Sequence, residues 1–247
     1  MELVFFWRAR QKANVYRSKL DKEEKGEMAM AKVFIGAPVR NRAWILGRHL
    51  DSLMSQDVDK EFMYILNDSD DETEQILIDQ GIPYATHNLG KKYGHVRGQY
   101  SYGNLALLRN ILLHEFLQSD CDYLLSIDTD IIIPEGSLQQ LIDNDLDVCS
   151  MLIQNHPKIK AHNAMIGGRH VPEFQEGVIP VDLTGAVYLI KREVVEAGVR
   201  YGLHPIGEDA PFCEQARRLG YKLFVDTRLR PIHAYAEGAE LIAKVAT

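Results

Sequence analysis

Two aspartates spaced i, i+2 close an apolar run in the segment Tyr123-Leu-Leu-Ser-Ile127, followed at once by Asp128-Thr-Asp130. A buried strand that ends in two acids puts charge at the mouth of a sheet, where it needs a counter-charge. In a strand-to-turn geometry both side chains can face the opening, and carboxylate oxygens there, together with substrate phosphates, suit a hard divalent cation. The competing reading is a solvated turn, or a cap for a helix that starts near Glu135. Two other apolar runs end in the same style. One leads into Ala37-Pro-Val-Arg-Asn-Arg42 and the other into Asn67-Asp-Ser-Asp-Asp-Glu-Thr73. Three such ends on neighbouring strands would converge carboxylates, amides and arginines on one crevice.

The elements that must carry these ends can be read from periodicity. Val33–Ile35, Phe62–Leu66, Tyr84–Thr86 and Tyr123–Ile127 read as short buried strands. Between them lie helical spacings: Ile45, Leu46, Leu50, Leu53 and Met54 on one face, a short helix Glu74–Gln80 ended by Gly81, and Leu105, Leu108, Leu112 and Phe116 leading up to Gln118. Strands and helices in alternation imply right-handed parallel crossovers and a sheet covered on both faces. Ligands of such sheets bind beyond the carboxyl ends of the strands. The rhythm breaks after the strand Val148–Leu152. An irregular stretch, Gln154–Pro180, precedes Val181–Ile190, a helix from Arg192, a helix Ala210–Leu219 and a strand Leu223–Val225. This half reads as an extension of the same core.

Composition narrows the function classes. Lys and Arg number 28 against 35 Asp and Glu, a net charge of −7, which argues against nucleic-acid binding by phosphate neutralisation. Cys121, Cys149 and Cys213 show no pair spacing, so neither a disulfide framework nor a cysteine zinc site is supported, and a reducing, cytoplasmic setting is expected. No apolar run has the length of a membrane span. Residues 1–31 are set apart as an N-terminal extension, rich in Lys, Arg and Glu from Arg8 to Lys25, and residues 32–247 as the main domain. The extension is either a helix docked through Leu3, Phe5, Phe6 and Trp7 or a disordered leader, and Met28 or Met30 is an alternative natural start.

The combination of segments is more specific than any one of them. VFIGAPVRNR at 33–42, YILNDSDDET at 64–73, LLSIDTD at 124–130, GEDAPFCEQARRLGYKLFVD at 207–226 and then His233 resemble, in order and spacing, family-2-type glycosyltransferases of the GT-A fold. The resemblance implies a Rossmann-like mixed α/β sheet with helices on both faces. It also implies transfer of a sugar from a nucleotide-diphosphate donor to a saccharide or other hydroxyl acceptor, with Mn²⁺ or Mg²⁺ bridging the diphosphate. The donor base is read as uridine, from the acidic end of the second strand.

The resemblance also implies roles. Pro38 and Arg40 lie against the nucleotide, Asp68 meets its base, and Arg109 reaches the donor, with a surface charge on an amphipathic helix as the competing reading for Arg109. Asp128 lies near the ribose and donor sugar and joins Asp130 and His233 as metal ligands, while Gly185 lets the donor approach closely. Asp70 and Asp71 begin the next helix, where carboxylates offset the N-terminal dipole. Single displacement at the anomeric carbon, which inverts it, needs a base for the acceptor's proton. In the pair Glu208-Asp209, Asp209 resembles that base, and capping of the following helix is its other reading. Gln215-Ala-Arg-Arg-Leu219 departs from the Gln-x-x-Arg-Trp signature of processive sugar polymerases, so Arg217 and Arg218 read as surface or salt-bridge residues. The loops His87–Asn104 and Gln154–Pro180 are the candidates for acceptor specificity. Three other classes compete: a sugar-phosphate nucleotidyltransferase, an Asp-x-Asp phosphatase and a noncatalytic sugar-binding module.

Overall fold

The computed structural model of the protein describes residues 31–90, 101–158 and 161–246. Expectations for the extension up to residue 30, and for Tyr93, Gly94, Gly98 and Tyr100 in the first candidate acceptor loop, lie outside those residues.

The alternation expected for the first half is present. β1 (Lys32–Val39), α1 (Ala43–Met54), β2 (Asp59–Leu66), α2 (Thr73–Asp79), β3 (Tyr84–Thr86), α3 (Tyr102–Gln118) and β4 (Tyr123–Ile127) follow one another. β1 pairs in parallel with β2 and β4, and β2 with β3. Val33, Phe34, Ile35 and Ala37 of β1 are all buried, as a parallel strand covered on both faces requires. α1 buries Ile45, Leu46, Leu50 and Leu53 in the expected spacing. Met54, expected on the same face, is 41% exposed because it is the last residue of the helix. α3 buries Leu108, Leu112 and Phe116 and also Arg109, which is therefore not a surface charge.

After β4 come β5 (Ile131–Ile132), α4 (Ser137–Asp143), β6 (Val148–Met151), β7 (Met165–Ile166), β8 (Arg169–His170), β9 (Val178–Val181), β10 (Val187–Lys191), α5 (Arg192–Glu196), α6 (Asp209–Arg218), β11 (Leu223–Asp226), β12 (Ile232–Ala236) and β13 (Ala239–Leu241). β10 lies antiparallel between β4 and β6, β11 runs parallel to β6, and β9 is an antiparallel edge on β11. The result is one mixed eight-stranded sheet in the order β3-β2-β1-β4-β10-β6-β11-β9. The stretch Val181–Ile190 is thus two strands in different places. The chain leaves the edge and crosses to the centre through Thr184-Gly185-Ala186, where Ala186 takes a left-handed φ of 65°. Pro180 falls on the edge strand, the position where a missing N–H is tolerated.

A second, three-stranded sheet in the order β13-β12-β5 is small but decisive for the site. β5 begins directly after Asp130, and its pairing with β12 sets His233 opposite Ile131. Among the described residues no helix is long and apolar enough to cross a membrane.

Candidate functional site

The carboxyl ends of β1, β2 and β4 open on a cleft of about 260 Å³, closed on the far side by the N-terminal turns of α3 and α6. Pro38, Arg40, Arg42, Asn67 and Asp130 line one wall, and Arg109, Asp128, Glu208 and Asp209 the other. Asp68 is not on either wall. Its Oδ2 accepts from the N–H of Leu89 at 2.8 Å and from Asn67 Nδ2 at 2.9 Å, which joins the exits of β2 and β3.

The acidic segment after β2 organises the first wall. Asp71 accepts the N–H of Ala43 at 3.0 Å and the N–H of Thr73 at 3.0 Å, so one carboxylate serves the starts of both α1 and α2. Burial opposes its charge, but these bonds and one from the Thr73 side chain hold its pKa below the usual carboxylate value. Arg42 donates its own N–H to Thr73 Oγ1 at 2.7 Å. The Arg42 side chain is 14% exposed and reaches within 3.8 Å of Asp130 Oδ2, while its Nε is buried and has no hydrogen-bond partner among the described residues. A buried guanidinium N–H without an acceptor on a cleft wall suits an anion from outside the chain. Arg42 belongs to the quoted first-strand motif, yet its spacing did not separate it from Arg40.

Thr129 is 5% exposed, Asp130 7% and His233 3%, so neither a solvated turn nor a cap of α4 describes Asp130, while the Asp128 side chain, 40% exposed, opens on the cleft. α4 starts after Gly136 without a side-chain cap. The Asp130 carbonyl accepts from Ala234 N–H at 2.8 Å, which extends the β5 and β12 ladder up to the acid. His233 Nδ1 lies 2.8 Å from the carbonyl of Gln154. A carbonyl only accepts, so Nδ1 carries the proton and Nε2 presents a lone pair. That Nε2 is 4.0 Å from Asp130 Oδ2. One imidazole nitrogen and one carboxylate oxygen, in register and facing each other, fit Mn²⁺ or Mg²⁺ that takes its remaining ligands from phosphate and water.

Another acidic group has less to offer a cation. Glu61, Asp120 and Cys121 cluster at the opposite end of the sheet. Lys32 Nζ donates to Glu61 at 2.5 Å and Asp120 at 2.7 Å, and burial pushes the Cys121 thiol up to about 12. The cluster already has its cation, and its thiol stays protonated.

Arg109 is the hub of the second wall. Its Nε donates to Glu208 Oε1 at 2.9 Å, Nη1 to Ser126 Oγ at 2.9 Å, and Nη2 to Asp128 Oδ1. Burial disfavours its charge, and the carboxylates of Asp128, Glu208 and Asp209 more than offset that. The next residue, Asn110, exchanges two hydrogen bonds with the backbone of Tyr201, at 3.0 and 2.9 Å. This fixes the loop that leads to Glu208.

One cation facing three carboxylates leaves one of them under-compensated. Asp209 is that one: burial first, then the charges of Glu208 and Asp128, push its pKa up to about 7 against the pull of Arg109 and a bond from Tyr188. Asp128 is shifted in the same direction, mainly by burial. Asp209 is the first residue of α6, and its side chain accepts from Tyr188 OH at 2.7 Å. The expected cap of a helix Ala210–Leu219 is therefore not its role in this structure, since the carboxylate points at a phenol on β10. The residue before the helix pair, Gly207, has a φ of 135° that a side chain would strain, and it turns Glu208 and Asp209 into the cleft.

Gly185 does permit a close approach, but by the protein itself. The carboxylate of Asp209 occupies the space that a side chain at 185 would fill. Tyr188 and Tyr201 complete the arrangement without any signal in the sequence, because they come from β10 and a loop and share no motif, while Ser126 lies in the quoted LLSIDTD segment without a feature that singles it out there. Arg217 and Arg218 bind Asp182 at 2.9 Å and Glu214 at 3.7 Å, as surface ion pairs. His162, in the second candidate acceptor loop, is buried against the carbonyl of Val171 at 3.0 Å.

No protein-family model and no curated protein sequence matches the chain. Solved structures do. A197 from STIV aligns with a TM-score of 0.55 at 18% identity, over 88% of this chain and 97% of its own. Residues 1–349 of TarS from S. aureus, in complex with UDP-GlcNAc, align with a TM-score of 0.55 at 21% identity over 78% of this chain, which spans 55% of that one. The mannosyltransferase PcManGT from Pyrobaculum calidifontis, in complex with GDP-Man and Mn²⁺, aligns with a TM-score of 0.51 at 14% identity over 89% of this chain and 67% of its own. Likeness at these identities speaks to architecture, and the architecture of this chain is the GT-A fold.

Proposed function

We propose that the protein is a metal-dependent glycosyltransferase that moves a sugar from a nucleoside-diphosphate donor to an acceptor hydroxyl, inverting the anomeric carbon in a single displacement. The observation that carries this reading is the presence on one cleft of two carboxylates, Asp209 with its raised pKa and Asp130, with the Nε2 of the buried His233 4.0 Å from Asp130 Oδ2. The solved neighbours support it, since TarS is described with UDP-GlcNAc and PcManGT as a mannosyltransferase with GDP-Man and Mn²⁺.

Asp130 Oδ2 and His233 Nε2 would hold the Mn²⁺ or Mg²⁺, which would offset the charge of the diphosphate leaving group. Arg42 brings its unpartnered Nε, and Arg40 its guanidinium, toward the phosphates. Pro38 shapes the nucleotide wall. Asp128, held through Oδ1 by Arg109, lines the cleft and serves the ribose or the donor sugar. Asp209 accepts the acceptor's hydroxyl proton while the acceptor oxygen bonds the anomeric carbon. The bond from that carbon to the diphosphate oxygen breaks, and its electron pair leaves with the nucleoside diphosphate. Glu208 keeps Arg109 in place and raises the basicity of Asp209. A UDP-sugar is the donor class we assign, and what supports it is the acidic segment Asn67-Asp-Ser-Asp-Asp-Glu-Thr73 that follows β2 and carries Asp68. Three buried free cysteines suit the reducing, cytoplasmic compartment expected from the sequence.

The test is a panel of UDP-, GDP-, dTDP- and ADP-sugars with Mn²⁺, read as nucleoside diphosphate release and as protection against thermal unfolding. Protection and turnover by a UDP-sugar are expected. Release of phosphate from a sugar phosphate, or formation of a sugar nucleotide from a nucleoside triphosphate, would replace this reading by a phosphatase or a nucleotidyltransferase.

A further inference from the structure

Behind the proposed base lies a line of hydroxyls that the function described so far does not use. Tyr188 OH is 2.7 Å from Asp209 Oδ1 and 2.6 Å from Tyr201 OH. The hydroxyls of Tyr201 and Ser126 are 3.1 Å apart, and Ser126 Oγ accepts from Arg109 Nη1 at 2.9 Å. Tyr188, Tyr201 and Ser126 are all buried, with Tyr188 wholly enclosed. Each hydroxyl has one hydrogen to give. With Asp209 ionised, its Oδ1 can only accept, so Tyr188 donates to it and accepts from Tyr201. The order runs one way, from the Tyr201 phenol to the carboxylate, and Ser126, an acceptor from Arg109, stands beside it.

We propose that Tyr201 and Tyr188 are positioning residues that form a directed hydrogen-bond chain to Asp209, fixing Oδ1 as the held oxygen and leaving Oδ2 as the base. This rests on the reading of Asp209 as the base of a transferase. Hydrogen bonds aligned head to tail polarise one another, so Tyr201 strengthens the bond that Tyr188 gives to the carboxylate. It also resists rotation of the carboxylate, because turning it would strand a buried phenol. The Tyr201 ring stacks on Phe212 of α6 at 4.8 Å between centroids, and Arg109 lies 5.6 Å from the same ring, so the phenols are held by packing as well. The charged and titratable groups facing Asp209 are Arg109 from α3, Asp128 from the end of β4, Tyr188 from β10, Tyr201 from the loop before α6, and Glu208 and Cys213 from its own segment. Of these, Tyr188 alone bonds the carboxylate.

Tyr188→Phe removes the last link and leaves the ring volume in place. Titration of Asp209, followed by ¹³C NMR of the full chain labelled at aspartate Cγ and assigned with Asp209→Asn, should show its midpoint moving up by about one to two pH units, the worth of a hydrogen bond to a charged group. Tyr201→Phe should move it the same way by less, since it breaks the chain further from the carboxylate. If Tyr188→Phe does not fold, Tyr201→Phe keeps the inference testable, because it removes one buried hydroxyl that does not touch the carboxylate. In the kcat profile the acid limb should move with the midpoint, kcat at pH 7 should fall about ten-fold, and the donor KM should stay unchanged. A midpoint that stays put or moves down overturns the chain, even if activity falls. Failure of the wild-type protein to transfer from any nucleotide sugar overturns the transferase reading instead, and the NMR midpoint still judges the chain.

Discussion

Asp209 Oδ2 lies 2.2 Å from the point where a Cβ on Gly185 would sit, and Asp209 Cγ 2.8 Å from it. No side chain at 185 is compatible with the carboxylate where it stands. The glycine sits in the crossing from the sheet's edge to its centre, with its carbonyl held by Asn163 Nδ2 at 2.9 Å, so the backbone cannot easily retreat. Gly185→Ala should therefore displace the proposed base, Asp209, rather than the strand. A shift of about 1 Å at a reacting group can cost on the order of 10²-fold in rate, which is the loss expected in kcat, with the fold and donor affinity kept. Wild-type kcat in Gly185→Ala would separate Asp209 from the chemistry.

The pH dependence of stability gives an independent reading of the same carboxylate. The pKa of Asp209 goes from 3.8 to about 7 on folding, so between these values the folded chain holds a proton that the unfolded chain has lost. Its contribution to stability falls as pH rises through that window and stays lost above it. Asp209→Asn has no such proton to lose. The gain in melting temperature of Asp209→Asn over wild type should be larger at pH 8 than at pH 5, measured by calorimetry. A gain equal at both pH values would show that the carboxylate ionises in the folded protein as it does in the unfolded one.

How much of this was legible in the sequence depends on the range of the interaction. Strands and helices of the first half follow local periodicity, and their motifs sit at strand ends where topology must place them. His233 could be connected to Asp130 by resemblance, but the reason they meet is a two-residue strand, Ile131–Ile132, too short to be read as one. The break between the edge strand that ends at Val181 and the central strand that starts at Val187 was hidden because only five residues, Asp182-Leu-Thr-Gly-Ala186, separate the two apolar pieces. The capping reading of Asp209 failed because caps are recognised by local spacing, whereas its partner Tyr188 lies on a distant strand. Buried polar networks assembled from β4, β10, α3 and the loop before α6 leave no pattern along the chain.

Arg109 tests whether the second wall is held by charge. Its guanidinium satisfies Glu208, Ser126 and Asp128 at once, in a nearly fully buried position. Arg109→Met would keep much of the volume and leave the carboxylates without their cation, a change that typically costs about 3–5 kcal/mol when one partner of a buried pair is lost. Urea denaturation should show that loss at pH 8 and a smaller one at pH 5, where protonation relieves the repulsion. Arg109→Lys should not restore the wild type, since an ammonium cannot reproduce the three-way fork. Equal losses at the two pH values would mean that packing, not charge, is what Arg109 provides.

The facing pair Asp130 and His233 predicts linkage between metal and nucleotide. With two protein ligands only, the ion needs phosphate oxygens to complete its shell, so each should strengthen the other's binding. Mn²⁺ should raise affinity for UDP by calorimetry, and Asp130→Ala and His233→Ala should each remove most of that gain while leaving the metal-free affinity near wild type. Gln154 acts only through its carbonyl on His233, so Gln154→Ala should leave the linkage intact. Equally tight UDP binding in chelator and in Mn²⁺ would dismiss the metal assignment.

The last prediction concerns the reaction itself. A base works on the acceptor's proton only as the new bond forms, so its removal lowers turnover and spares donor binding. Asp209→Asn should lower kcat by about 10²–10⁴-fold, the usual worth of general base catalysis, with the donor KM little changed. The amide keeps the size of the side chain, and its oxygen can still accept from Tyr188, so loss of rate cannot be assigned to collapse of the wall. Glu208→Gln should behave differently: Glu208 bonds Arg109 and raises the basicity of Asp209, so its neutral form should move the acid limb of the kcat profile to lower pH and disturb donor binding. The stereochemistry of the product, read by NMR at the anomeric proton, closes the argument. Single displacement with Asp209 as base gives inversion. Retention would require a double displacement or attack from the leaving-group face, and under either scheme Asp209 would have to be reassigned.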